Sequence, residues 1–180
     1  AWNARVGFCY GWELVRAIRQ VKRDDLAVVV VGDGTGLEHL REAAGEDLGK
    51  RIHLTGGVPG DRVLEMMSAF DVASLPQSVD GVGAFRYTTK VSEYVAARLP
   101  VVTGRIPMAY DLGAGWMWRL PGDRPWEAKY LQALAELMRA MTWDCLRAKR
   151  QHLPEAIEAF DRDAQVARVT ALISEILEEA

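Results

Sequence analysis

Short apolar runs alternate with amphipathic segments along most of the chain. Leu26–Val31 is a nearly unbroken β-branched run, too short for a helix and typical of a strand buried on both faces. Trp12–Lys22 instead repeats apolar residues at helical spacing. Further strands are predicted over Arg5–Tyr10, Arg51–Leu54, Asp71–Leu75, Pro100–Thr103 and Trp116–Leu120. Further helices are predicted over Leu37–Ala44, Asp61–Phe70 and Thr88–Ala97.

This alternation, with short glycine-rich turns, indicates right-handed βαβ units and an α/β fold. We expect one Rossmann-like parallel sheet of about six strands, with helices on both faces and Leu26–Val31 inside it. Residues 125–180 are expected to form a helical tail packed on the same domain, so that 1–180 is one domain. The longest irregular stretch, 76–87, follows a strand, where such sheets bind ligands.

Composition narrows the function classes. The 180 residues carry 22 Lys plus Arg against 25 Asp plus Glu, a net charge of −3 that disfavours nucleic acid as the partner. Two cysteines and three scattered histidines predict neither a disulfide framework nor a metal site. The apolar runs are too short to span a bilayer, so we expect a cytoplasmic location. The chain opens at Ala1 with a strand, and we expect a piece of a longer protein, with any peripheral membrane contact made by a missing domain.

The turn Gly32–Gly36 invites comparison with the dinucleotide fingerprint G-x-G-x-x-G. Its third glycine position is Leu37, and the turn follows the second predicted strand rather than the first. A tight strand-to-helix turn is therefore favoured, and hydride transfer is only weakly supported.

A sharper group of residues lies where the long loop meets the next helix. Thr88 or Thr89 suits an N-cap with free N–H groups beyond it, Lys90 adds a cation there, and Glu93 lies on the same helix face. A lysine for phosphate and a carboxylate for ribose hydroxyls, one turn apart, would suit a nucleoside diphosphate. The alternative is a capping box with a solvated lysine.

A family resemblance rests on Thr88–Val102, which reads T-T-K-V-S-E-Y-V-A-A-R-L-P-V-V. The segment resembles the S/T-P/T-x-K-x-x-E-Y-x-A-x-G-x-P-V-V stretch of GT-B glycosyltransferases, and it is closest to the retaining family 4 or group 1. Val28–Gly36, Arg51–Gly56 and Asp71–Pro76 resemble other stretches of the C-terminal domain of these enzymes, in the same order.

The resemblance implies a donor domain that binds a nucleotide-diphosphate sugar for transfer to a hydroxyl acceptor, as in polysaccharide biosynthesis. Such a hexosyltransferase-type enzyme would need no cofactor and no metal. It would be incomplete without an N-terminal acceptor-binding domain in the same or another chain. A sugar-nucleotide epimerase of GT-B shape and a non-catalytic flavodoxin-like binding domain remain the alternatives.

The resemblance also implies roles for individual residues. Lys90 and Glu93 would be the catalytic pair, with Glu93 holding the ribose. The remaining donor-site residues would be Gly11 in the first turn, Thr88 and Thr89 beside the diphosphate, and Leu54, Thr55, Gly56, Leu75 and Pro76 around the base. Phe85 stands where the first glutamate of the E-x7-E motif would fall, so that carboxylate is missing. The Arg and Lys usually found after the first strand of such domains are not recognisable near Gly11, so Arg86, Lys90 or Arg105 would have to bind the diphosphate in their place.

Overall fold

The computed structural model describes residues 2–112, 115–155 and 157–178. The strands are β1 (Val28–Val30), β2 (Ile52–Leu54), β3 (Ala73–Leu75), β4 (Val101–Thr103) and β5 (Met117–Arg119). The helices are α1 (Trp12–Ile18), α2 (Leu37–Ala44), α3 (Gly60–Met67), α4 (Lys90–Ala96), α5 (Met108–Asp111), α6 (Ala128–Ala140), α7 (Trp143–Gln151) and α8 (Arg162–Glu178). Single 3₁₀ turns cover Gly45–Asp47, Gly83–Phe85 and Glu158–Phe160.

The strands form two parallel sheets, β1–β2 and β3–β4–β5, flanked by helices. In the second sheet β4 is the central strand, and Val101, Val102 and Thr103 are all buried. An apolar strand of this kind needs cover on both faces, as parallel sheets generally do. The predicted α/β fold of Rossmann type is confirmed.

The prediction of a strand over Arg5–Tyr10 is wrong. Gly7 has a φ of 63°, a left-handed conformation that interrupts an extended run. Asn3 and Phe8 exchange backbone hydrogen bonds of 2.8 and 3.3 Å, which close this segment into a tight loop. The chain therefore reaches α1 through a loop and not through a first strand.

The expectation of one six-stranded sheet with Leu26–Val31 inside it is wrong for the same reason. Val28 and Val30 direct their backbone groups to β2, so those of Val29 face the opposite edge, where no neighbouring strand pairs with them in the described chain. The backbone groups of Ser74 in β3 likewise face the edge of their sheet that is turned away from β4. Among the described residues no strand lies between β1 and β3, and a cavity is lined by residues of both.

Two apolar clusters form the core. The first joins α1 to α2 and α6 and includes Ile18, Ile52 and Leu134, each almost fully buried. The second surrounds β4 and includes Val91 and Leu99. Because α4 follows the long loop and packs its Val91 face against β3–β5, the start of α4 is fixed at the carboxyl edge of the second sheet.

The last helix differs from the others because it is exposed along its length. From Val166 to Glu178 every residue of α8 is exposed, including the apolar Val166, Val169, Leu172, Ile173, Ile176 and Leu177. Across the described residues, helices that combine the length and the apolarity needed to cross a bilayer are absent.

Candidate functional site

A cavity of about 1470 Å³ lies between the two sheets. It runs from Ala27 and Val72, before β1 and β3, to Val31 and Pro76 beyond their carboxyl ends. Ligands of open α/β sheets bind at that end. The predicted site residues that line the cavity are Gly11, Leu75, Pro76, Arg86, Thr88, Thr89 and Lys90.

The turn at Gly11 joins the N-terminal loop to α1. Gly11 has a φ of 91°, and a Cβ atom there would lie 2.9 Å from Cγ2 of Val30. A side chain would therefore be strained and would collide with β1. The glycine brings bare backbone to the cavity wall, where a ligand can approach it closely.

The loop between β3 and α4 is held by side-chain hydrogen bonds. Gln77 donates from Nε2 to the carbonyl oxygens of Gly83 and Arg86, at 3.0 and 2.9 Å. Asp80 accepts from the backbone N–H groups of Gly83 and Val82, and these bonds lower the pKa of its carboxyl group. The loop therefore has a defined path at the edge of the cavity.

Arg86 reaches from this loop to the opposite wall of the cavity. Its Nη1 donates to the Tyr10 hydroxyl at 2.8 Å, next to the Gly11 turn. A guanidinium group can keep that bond and still offer further N–H donors to an anion. Arg86 and Gly11 thus bring a cation and bare backbone to the same place.

Lys90 and Glu93 form an ion pair at the start of α4. Lys90 Nζ lies 3.4 Å from Glu93 Oε2, and the two side chains are 57% and 36% exposed. The reciprocal bonds of a capping box do not form: Thr89 in the N-cap position makes no side-chain bond to the helix. Both charges remain accessible for a ligand at the cavity mouth.

The expected set of free amide groups at this helix start is not found. Val91 donates its backbone N–H to Thr88 O, and Ser92 and Glu93 donate theirs to Thr89 O. The Lys90 amide lies 3.4 Å from Thr88 Oγ1, a long bond. The ammonium group of Lys90 is therefore the stronger attraction that α4 offers to an anion.

Five of the residues named from the sequence do not line the cavity. Leu54, Thr55 and Gly56 lie at and beyond the end of β2, where Thr55 donates its backbone N–H to Val30 and its hydroxyl to Gly56. Glu93 is linked to the lining through Lys90. Arg105, the other candidate cation, is exposed and also lies outside the lining.

Sequence reasoning missed Glu13, whose side chain is fully buried and lines the cavity. Its Oε2 accepts from the Gly11 N–H and its Oε1 bonds to the Ser74 hydroxyl, both at 3.1 Å. Burial raises the pKa of this carboxyl group to about 7, although both hydrogen bonds act in the opposite direction. An acidic residue two positions after a turn glycine, within an otherwise apolar helix start, was the signal available.

The comparisons with known proteins bear directly on this geometry. The sequence model of the family described as glycosyl transferases group 1 matches residues 11–140, more than half of the chain. The chain belongs to this family. No curated protein sequence matches the chain significantly.

Solved structures agree on the fold of this group 1 domain. The pneumococcal O-GlcNAc transferase GtfA, solved in complex with UDP and GlcNAc, is 17% identical, with a TM-score of 0.63 over 92% of this chain and 32% of its own. WaaG, a glycosyltransferase of lipopolysaccharide biosynthesis, is 21% identical, with a TM-score of 0.51 over 78% of this chain and 38% of its own. AviGT4, a glycosyltransferase of avilamycin A biosynthesis, is 16% identical, with a TM-score of 0.50 over 79% of this chain and 42% of its own.

The chain thus spans about a third of the length of GtfA. All three neighbours are glycosyltransferases, and none of these comparisons favours an epimerase or a flavodoxin-like binding module.

Proposed function

We propose that this group 1 domain binds a nucleotide-diphosphate sugar and serves as the donor half of a hexosyltransferase that glycosylates a hydroxyl acceptor. The observation that carries the proposal is the convergence of the Gly11 turn, Arg86 and Lys90 on one cavity at the carboxyl ends of the strands. A diphosphate needs cations and close backbone approach, and these three residues offer both.

The roles follow from the chemistry of each group. Lys90 and Arg86 would neutralise the diphosphate, with the hydroxyl groups of Thr88 and Thr89 beside it. Glu93 would accept hydrogen bonds from the two ribose hydroxyls, since a carboxylate has several acceptor positions. Leu75 and Pro76 would contact the base, together with Leu54, Thr55 and Gly56 at the end of β2.

In the transfer step the bond between the anomeric carbon and the phosphate oxygen breaks, and its electron pair leaves with the nucleoside diphosphate. The acceptor oxygen forms the new bond to that carbon, and its proton passes to the departing diphosphate. Negative charge therefore grows on the diphosphate in the transition state, where Lys90 and Arg86 would stabilise it. The proposal assigns the reaction no cofactor and no metal.

An acceptor-binding domain, in the same or another chain, would complete the enzyme. The exposed apolar side chains of α8 support such a partner, because contiguous apolar surface is uncommon on a domain that stands alone. We propose that the assembled enzyme acts in the cytoplasm in polysaccharide biosynthesis.

Titration calorimetry with UDP-, GDP-, ADP- and dTDP-sugars tests the proposal. We expect one nucleotide sugar to bind the 180-residue chain weakly. Lys90→Met should lose this binding, whereas Lys50→Met, which changes an exposed lysine away from the cavity, should keep it. With labelled donor, the chain alone should transfer no sugar. Absence of binding by all four donors would refute the donor site, and turnover by the chain alone would refute the need for a second domain.

A further inference from the structure

The Glu13 carboxyl group is buried between the donor-site turn and the second sheet. It bonds to the Gly11 N–H through Oε2 and to the Ser74 hydroxyl through Oε1, each at 3.1 Å. Ser74 is fixed in turn, because its carbonyl oxygen accepts from the Tyr94 hydroxyl at 3.2 Å. The Glu13 side chain therefore connects the start of α1 to β3 at the cavity wall, and Ser74 carries the connection on to α4.

Among the described residues no cation bonds to this carboxyl group, although Arg86 and Lys90 line the same cavity. The titratable groups that interact with it are the thiol of Cys9 in the N-terminal loop, the phenol of Tyr94 on α4 and the phenol of Tyr130 on α6. Burial raises the pKa of all three, so each is neutral near pH 7. A charge on Glu13 would be buried without a counter-ion.

The neutral acid fits the same contacts. In that form Oε1–H donates to the Ser74 oxygen while Oε2 still accepts from the Gly11 N–H, so the carboxyl group loses neither partner. These contacts allow Glu13 to bind a proton when additional negative charge comes close to it.

We propose that Glu13 is a positioning residue of the donor site: its buried carboxyl group holds the Gly11 turn against β3, and it takes up a proton when an anionic diphosphate binds at that turn. The proposal rests on the proposed function above. It follows because a diphosphate against the Gly11 backbone would lie near the carboxyl group that accepts from the Gly11 N–H, and it would disfavour a second negative charge there. Donor affinity and the protonation of Glu13 are then linked.

The link between donor binding and the protonation of Glu13 predicts the direction and the size of a proton uptake. With the pKa of free Glu13 at about 7, about half of the molecules are ionised at neutral pH. If a bound diphosphate raises that pKa by about one unit, about 0.4 proton is taken up per ligand at about pH 7. Donor affinity then falls about tenfold between about pH 6 and about pH 9.

Calorimetric titration of the chain with UDP-N-acetylglucosamine, in two buffers of different ionisation enthalpy, measures this uptake. A sugar-substituted diphosphate carries no group that titrates near neutral pH, and His39, His53 and His152 lie outside the lining. If another nucleotide sugar binds instead, it replaces the probe. Glu13→Gln should abolish the uptake and flatten the pH profile, with affinity at about pH 6 within about threefold of the parent and about tenfold tighter than it at about pH 9.

Two variants separate this role from a merely structural one. Glu46→Gln, at an exposed position on the 3₁₀ turn Gly45–Asp47, should leave the uptake unchanged. Ser74→Ala removes a hydrogen bond that lowers the pKa of Glu13, so the pH of maximal uptake should rise, and this variant carries the test if Glu13→Gln fails to fold.

Each outcome decides between the two proposals. Donor binding without proton uptake, or uptake that persists in Glu13→Gln, would overturn the role of Glu13 and leave the proposed function intact. Failure of all nucleotide sugars to bind would refute the proposed function and the linkage with it. The positioning contact would still be judged by whether Glu13→Gln alters the pH dependence of thermal unfolding.

Discussion

Two glutamates belong to the proposed donor site, and their surroundings differ: Glu13 lines the cavity, whereas Glu93 lies outside the lining. Glu93 at the start of α4 is 36% exposed and pairs with Lys90. Glu13 at the start of α1 is fully buried, and its bonded partners are a backbone N–H and a hydroxyl group. Water and an ammonium group stabilise the charge on the first, whereas burial opposes the charge on the second.

An exposed glutamate and a buried glutamate can therefore have different roles in one donor site. A carboxylate in contact with solvent is free to exchange Lys90 for the hydroxyl groups of a ligand, as a binding residue must. A buried carboxyl group that connects the start of α1 to β3 cannot move without breaking its hydrogen bonds, so it orients backbone instead.

The largest effect is expected in the pH dependence of stability. The folded-state pKa of Glu13 is raised from 4.5 to about 7, so the folded chain binds this proton more tightly than the unfolded chain. Its contribution is fully present below about pH 4.5 and is lost as pH rises through about 7, by about 3 kcal/mol in total. Relative to Glu13→Gln, the parent should therefore lose stability over this interval in chemical denaturation.

Glu93→Gln is the matched control for that measurement, since it removes a carboxylate at the other helix start. Glu13 is unchanged in this variant, so the variant should lose stability over the same pH interval as the parent. If the two substitutions give parallel pH profiles, the contrast between a buried and an exposed carboxyl group is refuted.

Lys90→Met should have the next largest effect, on ligand binding. Loss of a charge-assisted bond to phosphate is expected to weaken nucleoside diphosphate binding by about 1.5–3 kcal/mol, or roughly ten- to a hundredfold. Binding of the uncharged nucleoside should change far less, because it offers no phosphate to the ammonium group. Equal losses for both ligands in calorimetry would assign Lys90 a structural role.

Glu93→Gln should weaken nucleoside diphosphate binding by roughly tenfold, because the amide keeps the shape of the side chain but loses charge-assisted acceptance. A 2′,3′-dideoxy analogue should bind the two proteins alike, since it lacks the hydroxyl groups that Glu93 would hold. Unchanged affinity for the ordinary nucleotide together with a lower melting temperature would instead support a purely structural carboxylate.

The smallest effect concerns the ion pair itself. A double-mutant cycle with Lys90→Met and Glu93→Gln should give a coupling energy of only about 0.2–0.5 kcal/mol in the free energy of unfolding, as exposed pairs on one helix do. A coupling energy above about 1 kcal/mol would mean that the ion pair stabilises α4 and is not free to bind a ligand.

Much of the fold could be predicted from periodicity. The β-branched run at Leu26–Val31 and the segment Pro100–Thr103 both contain strands where their patterns place them. Arg5–Tyr10 is also a short apolar stretch, yet a left-handed glycine and an early bridge turn it into a loop. The apolar pattern of a segment predicts which side chains become buried. It does not predict whether a neighbouring strand is available for the segment to pair with.

The contacts of the candidate site could also be predicted from the sequence only in part. Lys90 and Glu93 are close in sequence on one helix, so their proximity could be predicted from spacing alone. Glu13 and Ser74 are 61 positions apart, and only the packing of α1 against β3 brings them together. Burial, which decides the ionisation of Glu13, is likewise a property of the folded chain and not of the local sequence.

Mapping the backbone amide signals of the chain by NMR during titration with UDP, the nucleotide of the GtfA complex, tests the central claim most directly. The donor-site account predicts saturable shifts at Gly11, Thr88, Thr89 and Lys90, with the amides of α8 unaffected. Shifts confined to the Gly32–Gly36 turn, or none at Gly11 and Lys90 at saturation, would contradict it.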